Sequence, residues 1–158
     1  MPNVFNIAEV IDLGIEKEKK RRDFYGRVSK AFEEDDMKKL FSRLRDWEDE
    51  HIKKFAQIRD TVNVDESHES YEGELAEYMK ALVDDILYNQ VSAEDFAKNV
   101  KSPKTAIQYG IGFEKDSILF FSELLIYMEP VHTGKVRILI DEEKKHIIYL
   151  SELRRKYE

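Results

Sequence analysis

The sequence predicts an all-α protein, a four-helix bundle made of two antiparallel hairpins. Three observations point there. Turn formers are scarce, three Pro and six Gly in 158 residues, while 37% of the chain is charged and 42% apolar. That mixture favours long helices with solvated outer faces. Apolar residues recur at steps of three and four along four long stretches, the signature of one buried helical stripe in each. Finally, two of the joins between stretches are short, and short joins make antiparallel neighbours.

The first helix is predicted over about 3 to 32, with Ile7, Ile11, Ile15, Tyr25, Val28 and Phe32 on its stripe. Glu18 falls on that stripe and Glu16 does not. Arg21 and Arg22 flank it, so one of them must lie near the buried face or snorkel away. Glu33-Glu-Asp-Asp36 reads as a polar turn able to cap the next helix. The second helix, about 36 to 62, carries Leu40, Leu44, Trp47, Phe55, Ile58 and Val62, with Glu48 and His51 in the same seam. A polar pair inside an apolar seam needs a partner.

Residues 63 to 72 are polar and irregular, and a shorter amphipathic helix follows at about 73 to 90 through Leu75, Met79, Leu82 and Ile86. Ser92-Ala-Glu-Asp95 resembles the cap of a further short helix. Ser102-Pro103 is a strong start signal, a cap residue followed by proline at the first helical position. The third long helix then runs to about 128 through Ile107, Ile111, Ile118, Phe121, Leu125 and Met128, with Glu114 on the stripe. Glu129-Pro130 breaks it. The fourth, about 131 to 157, shows Val136, Leu139, Glu143, His146, Leu150, Leu153 and Tyr157 at the same steps. The segment from 63 to 102 carries the chain from one hairpin to the other, and residues 1–158 read as one domain.

Six residues carry the chemistry. Glu48-Asp-Glu-His51 and Glu143-Lys-Lys-His146 are both Glu-x-x-His, and residues three apart share a helix face. Each has an inward Glu about thirty residues upstream, Glu18 and Glu114. The two hairpins also repeat. Gly14-Ile-Glu-Lys-Glu18 matches Gly110-Ile-Gly-Phe-Glu114, an offset of 110 − 14 = 96, and Leu44 to His51 matches Leu139 to His146, an offset of 146 − 51 = 95. Equal polar residues at equal depths imply a pseudo-twofold site on the bundle axis.

One Glu-x-x-His alone is weak evidence. The chain holds 20 Glu in 158 residues, so about one His in eight has a Glu three places before it by chance. Glu129-x-x-His132 is such an accident, since Pro130 lies inside it, and His68 has no such Glu. The alternative for the two good pairs is buried hydrogen bonding that fixes register. It would bury four carboxylates together, which is costly unless cations or protons neutralise them. Two divalent cations balance four carboxylates, and the six residues are read as a dinuclear metal site.

Composition narrows the rest. The net charge of -7 argues against nucleic acid as a partner, and the basic runs at 17–22 and 154–156 read as solvated helix faces. With no cysteine, thiolate metal sites, disulfides and Cys nucleophiles are excluded. No apolar run approaches the roughly 20 residues that span a bilayer, and the N-terminus lacks a signal-peptide pattern, so a cytoplasmic protein without membrane partners is expected. Tyr25 reads either as core packing or as a hydrogen bond to a ligand, and is the candidate catalytic residue; Phe121 at the matching position can only pack. Trp47 and Phe55 read as core. Gly14, Gly110 and Gly112 either permit close helix packing or leave room for an oxidant.

The pattern Glu, then Glu-x-x-His, twice over, resembles the ferritin-like di-iron carboxylate proteins, most closely the rubrerythrin type. Glu18-x5-Phe24-Tyr25, Leu40-Phe41 and Glu48-x-x-His51 also look like that family. The resemblance implies a ferritin-like bundle with a long crossover bearing an extra short helix. It implies Glu18 and Glu114 as terminal ligands, Glu48 and Glu143 as bridges, and His51 and His146 as one cap for each metal. Carboxylate-rich sites with open positions suit two iron ions, or manganese, better than zinc. The implied activity is an oxidoreductase reducing hydrogen peroxide or dioxygen, and a homodimer is implied as well. Rubrerythrins carry a cysteine-ligated rubredoxin domain, absent here, so the electrons must come from a separate donor protein. They also place a further Glu where this chain has Ser117. Two other readings stay open: an iron-handling ferroxidase module, and a bundle whose site is only structural, in which Arg21 or Arg22 takes the place of one metal's charge.

Overall fold

The hydrophobic stripes become long helices at nearly the expected places. The structure, a computed structural model, describes residues 7–62, 74–83 and 86–158. Its elements are α1 (Ile7–Ala31), α2 (Asp35–Thr61), α3 (Glu74–Val83), α4 (Ile86–Gln90), α5 (Phe96–Asn99), α6 (Pro103–Ile126) and α7 (Pro130–Arg155). No strand occurs among the described residues, and the all-α bundle stands. No helix among them is long and apolar enough to cross a membrane. The expected starts at residues 3 to 6 and the irregular stretch 63 to 72 lie outside the described residues, as do the side chains of Leu75 and Ile86.

Helix α1 packs along α2 and α6 along α7, giving the two hairpins; α2 against α7 and α1 against α6 join them, and α3 touches α1 and α6. Ser102 caps α6 as expected, its hydroxyl accepting from the Thr105 N–H at 3.2 Å, with Pro103 in the first turn. Helix α6 ends at Ile126, and Pro130 opens α7 with Glu129 at the cap position. Two expected caps come out differently. Glu34 precedes α2 without a side-chain cap, while the Asp36 carboxylate accepts from the next backbone N–H, that of Met37, at 2.8 Å. Ser92 does not cap α5; its carbonyl accepts from the N–H groups of Asp95 and Phe96, closing a turn ahead of that helix.

The core is cut in two by a layer of charge. One apolar cluster gathers Phe24, Val28, Phe41, Leu44, Ile111 and Leu150; the other gathers Ile11, Phe55, Phe120, Phe121, Leu139 and Ile140. Along α1 the charged layer falls between Ile11 and Phe24, along α2 between Leu44 and Phe55, along α6 between Ile111 and Phe120, and along α7 between Ile140 and Leu150. Each large apolar side chain buried there contributes about 1.5–3 kcal/mol. Those two packed ends hold the polar layer together and dry.

Candidate metal centre

All six sequence candidates meet in that layer. Glu18 comes from α1, Glu48 and His51 from α2, Glu114 from α6, and Glu143 and His146 from α7, every one of them buried. They form two overlapping groups, Glu18–Glu48–His51–Glu143 and Glu48–Glu114–Glu143–His146, each with its donor atoms within 4.8 Å of one another. Glu48 and Glu143, the carboxylates of the two Glu-x-x-His pairs, belong to both.

Both imidazoles turn Nδ1 inward. His51 Nδ1 lies 2.8 Å from Glu143 Oε1 and 3.7 Å from Glu48 Oε2. His146 Nδ1 lies 3.3 Å from Glu114 Oε1, 3.4 Å from Glu143 Oε2 and 3.6 Å from Glu48 Oε1. On its far side His51 Nε2 meets Glu142 Oε2 at 2.6 Å. The face of His146 instead stacks on Trp47, with centroids 5.0 Å apart and planes 11° apart. Trp47 is therefore not simple core: it is half-buried and backs a histidine. A cleft of about 310 Å³, lined by Trp47, Glu50, Lys54, Lys145, Tyr149 and both histidines, leads in from solvent on this side.

The basic run 17–22 is not wholly a solvated face. Arg21 and Lys17 are buried at 0% and 2% exposure. Lys17 pairs with Asp116 and donates to the Leu82 carbonyl, tying α1 to α6 and α3. Arg21 enters the charged layer itself. Its Nη2 sits 2.5 Å from Glu18 Oε1, without an aligned hydrogen bond, and 3.7 and 4.0 Å from Glu48 Oε2 and Glu143 Oε1. Its Nη1 donates to the Tyr88 hydroxyl at 3.1 Å. Arg22 turns outward to Asp49 at 3.3 Å. Either arginine satisfies the spacing of the stripe, and the structure selects Arg21.

Tyr25 is fully buried and its hydroxyl donates to Glu114 Oε1 at 2.6 Å. Phe121, its counterpart, stacks on Phe55 at 4.3 Å. A Cβ on Gly14 would come within 2.9 Å of a Phe120 ring carbon, and one on Gly110 within 3.3 Å of two Leu150 methyls. Close packing accounts for both glycines. Glu142 and Tyr88 went unnoticed in the sequence: Glu142 sits beside a seam residue rather than in the seam, and Tyr88 arrives from the crossover, whose register no repeat fixes.

The electrostatics follow from burial and charge crowding. Burial depresses the pKa of His51, but its hydrogen bond to Glu143 and the surrounding carboxylates overcome this and raise it to about 9. His146 is raised to about 10 against the same pull of burial, by the Glu143 and Glu48 carboxylates 3.4 and 3.6 Å from its Nδ1. Burial pushes the Glu18 carboxyl well up, with Arg21 pulling against it. Burial acts upward on Glu143 too, yet the His146 imidazole 3.4 Å away, the hydrogen bond with His51 and the nearby Arg21 hold it far below the carboxylate range.

The donor set fits a metal. Both oxygens of Glu18 and of Glu48 and one each of Glu114 and Glu143 are buried without a hydrogen-bond partner among the described residues, as are His146 Nδ1 and the Arg21 Nε and Nη2 donors, so one guanidinium does not satisfy six carboxylate oxygens. Orphaned acceptors that converge call for a cation, and carboxylate with imidazole suits a divalent transition metal.

Comparison with protein-family models finds no match, and comparison with curated proteins finds none either. Among solved structures the chain is similar to a Thermotoga maritima protein, provisionally described as a ferritin-like diiron-carboxylate protein. The TM-score is 0.73 at 24% identity, over 99% of both chains. The fold is ferritin-like. At that identity the likeness speaks for the fold, and the ferritin-like bundle is what brings four separated stretches of sequence to one buried layer.

Proposed function

We propose that this protein is a non-haem di-iron oxidoreductase of rubrerythrin type that reduces hydrogen peroxide or dioxygen. The observation that carries the reading is the sharing of Glu48 and Glu143 by two four-residue donor groups. Two groups with two members in common are what a pair of carboxylate-bridged metals requires. In this reading Glu18 and Glu114 are terminal ligands, Glu48 and Glu143 bridges, and His51 and His146 caps through Nδ1; manganese could replace iron in the same donors.

Bound iron would supply the electrons for reduction of the oxidant. The chain's own residues do the rest. Glu142 accepts from His51 Nε2, which fixes the tautomer that leaves Nδ1 free to ligate. Trp47 holds the plane of His146. Tyr25 keeps a proton on its hydroxyl, since burial raises its pKa well above the ordinary value. With that hydroxyl on Glu114, Tyr25 stands as the proton donor of the site. The two apolar clusters exclude bulk water. A separate protein delivers the electrons, in the cytoplasm. A homodimer belongs to the same reading.

Elemental analysis after iron loading, with optical spectra of the reduced protein before and after peroxide, tests the reading. About two irons per chain and a new ferric absorption are expected. Full iron content and full turnover in Glu48→Ala and His146→Ala variants would overturn it.

A further inference from the structure

The pseudo-twofold relation that pairs Glu18 with Glu114 also pairs Arg21 with Ser117, since 21 + 96 = 117. One half of the site therefore contains a long cation where the other contains a small hydroxyl. Both are buried, at 0% and 1% exposure. Arg21 Nη2 lies within 4.0 Å of Glu18, Glu48 and Glu143, three of the four members of the first donor group. The members peculiar to the second group, Glu114 and His146, have no ion pair with Arg21 among the described residues. Ser117 Oγ on that side is itself buried without a hydrogen-bond partner.

Charge counting sharpens the contrast. With both histidines ligating and therefore neutral, two divalent cations balance the four carboxylates, and the guanidinium leaves the filled site with one net positive charge. Arg21 cannot shed its charge, because the surrounding carboxylates raise its pKa further against the pull of burial. Nor is it free to leave. Tyr88 holds the guanidinium from its outer side at 3.1 Å, and Tyr88 is in turn stacked on Phe113 at 4.2 Å.

We propose that the two metal positions are unequal: Glu48, Glu114, Glu143 and His146 take one divalent metal tightly, while Arg21 occupies the Glu18–Glu48–His51–Glu143 position as a resident cation that a second metal must displace. This rests on the metal-centre reading above and adds an order of loading, with Arg21 as a positioning residue and Tyr88 as its latch. A metal entering the second position forces the guanidinium away from Glu18, so the arginine makes assembly of the complete pair conditional.

The test is titration of the metal-free protein with Mn²⁺ by calorimetry, followed by electron paramagnetic resonance at one and two equivalents. The expected result is one tight step with the six-line spectrum of isolated Mn²⁺, and a second step weaker by at least about tenfold, the scale of one unit charge at close range. Arg21→Gln should bind two ions with similar affinity and give the spectrum of a coupled pair. Tyr88→Phe, which keeps the charge and removes only the latch, should narrow the gap in the same direction and serves if Arg21→Gln does not fold. Glu114→Gln should abolish the first step and Glu18→Gln the second. Two equal steps in the unaltered protein, or an unchanged gap in Tyr88→Phe or in folded Arg21→Gln, would overturn the inference while leaving the dinuclear reading standing. Absence of any bound metal in the unaltered protein would overturn both.

Discussion

Glu142 and Trp47 hold the same place in the two halves of the chain, 142 − 47 = 95 residues apart, and each backs the histidine of the opposite hairpin. Glu142 reaches His51 Nε2 at 2.6 Å, while Trp47 stacks on His146 at 5.0 Å. The fold is pseudo-symmetric and the support of its two imidazoles is not. One ring is oriented by a charge-assisted hydrogen bond, the other by an aromatic face.

Removal of that hydrogen bond should weaken the His51 side selectively. Glu142→Ala is expected to lower metal affinity at the position containing His51 by about 10–100-fold, the usual cost of losing an acceptor behind a ligating histidine. Competition with a chelator of known affinity measures it.

The metal-free protein should lose stability as pH rises. His51 and His146 have pKa values of about 9 and 10 in the folded chain, against an ordinary value near 6.5. Groups raised in this way stabilise fully below about pH 6.5, and the contribution fades as pH climbs through 9 to 10. Denaturant unfolding of the metal-stripped protein at pH 6 and pH 10 should differ by roughly a few kcal/mol in favour of pH 6. Equal midpoints would show the imidazoles to be neutral in the folded chain.

The same protons must leave when metal enters, because ligating imidazole is neutral. Calorimetry at pH 7 in buffers of different ionisation enthalpy should register about two protons released as both positions fill. A heat that does not depend on the buffer would contradict the protonated pair.

Tyr25→Phe deletes the hydroxyl that donates to Glu114 Oε1 at 2.6 Å. A loss of about 1 kcal/mol in stability is expected from the hydrogen bond. Turnover of peroxide should fall about 100-fold if the tyrosine is the proton donor. Unfolding curves and steady-state rates separate the two effects, and a rate within a few-fold of the parent would leave Tyr25 a packing residue.

Gly14→Ala should destabilise. The added methyl meets a Phe120 ring carbon at 2.9 Å, and Phe120 is fully buried in a packed cluster. Overpacking costs about 1–3 kcal/mol, more than the 0.5–1 kcal/mol or so that alanine gains over glycine within a helix. A thermal melt decides the sign.

The fold was legible in the sequence because a helix exposes its period. Stripes of Ile, Leu and Phe at steps of three and four placed α1, α2, α6 and α7 to within a few residues at each end. Glu18, Glu48, His51, Glu114, Glu143 and His146 stood out because polar residues interrupted those stripes at repeated offsets. Caps were less legible: Ser102 obeyed its signal, whereas Ser92 closed a turn instead, since local hydrogen bonding competes among several backbone N–H groups.

The sequence by itself determined that four helices would bury six residues of metal-ligand type, four Glu and two His, at one depth, because periodicity and repetition are properties of a single chain. Only the tertiary structure decided what surrounds them. Arg21 and Arg22 both satisfy the helical spacing, and the choice between them came from Tyr88 and the carboxylates of two other helices. Glu142 gained its role from a histidine 91 positions away. Charge and hydrogen-bond partners across a bundle depend on which helix faces are brought together, and that information appears only when the hairpins close on each other.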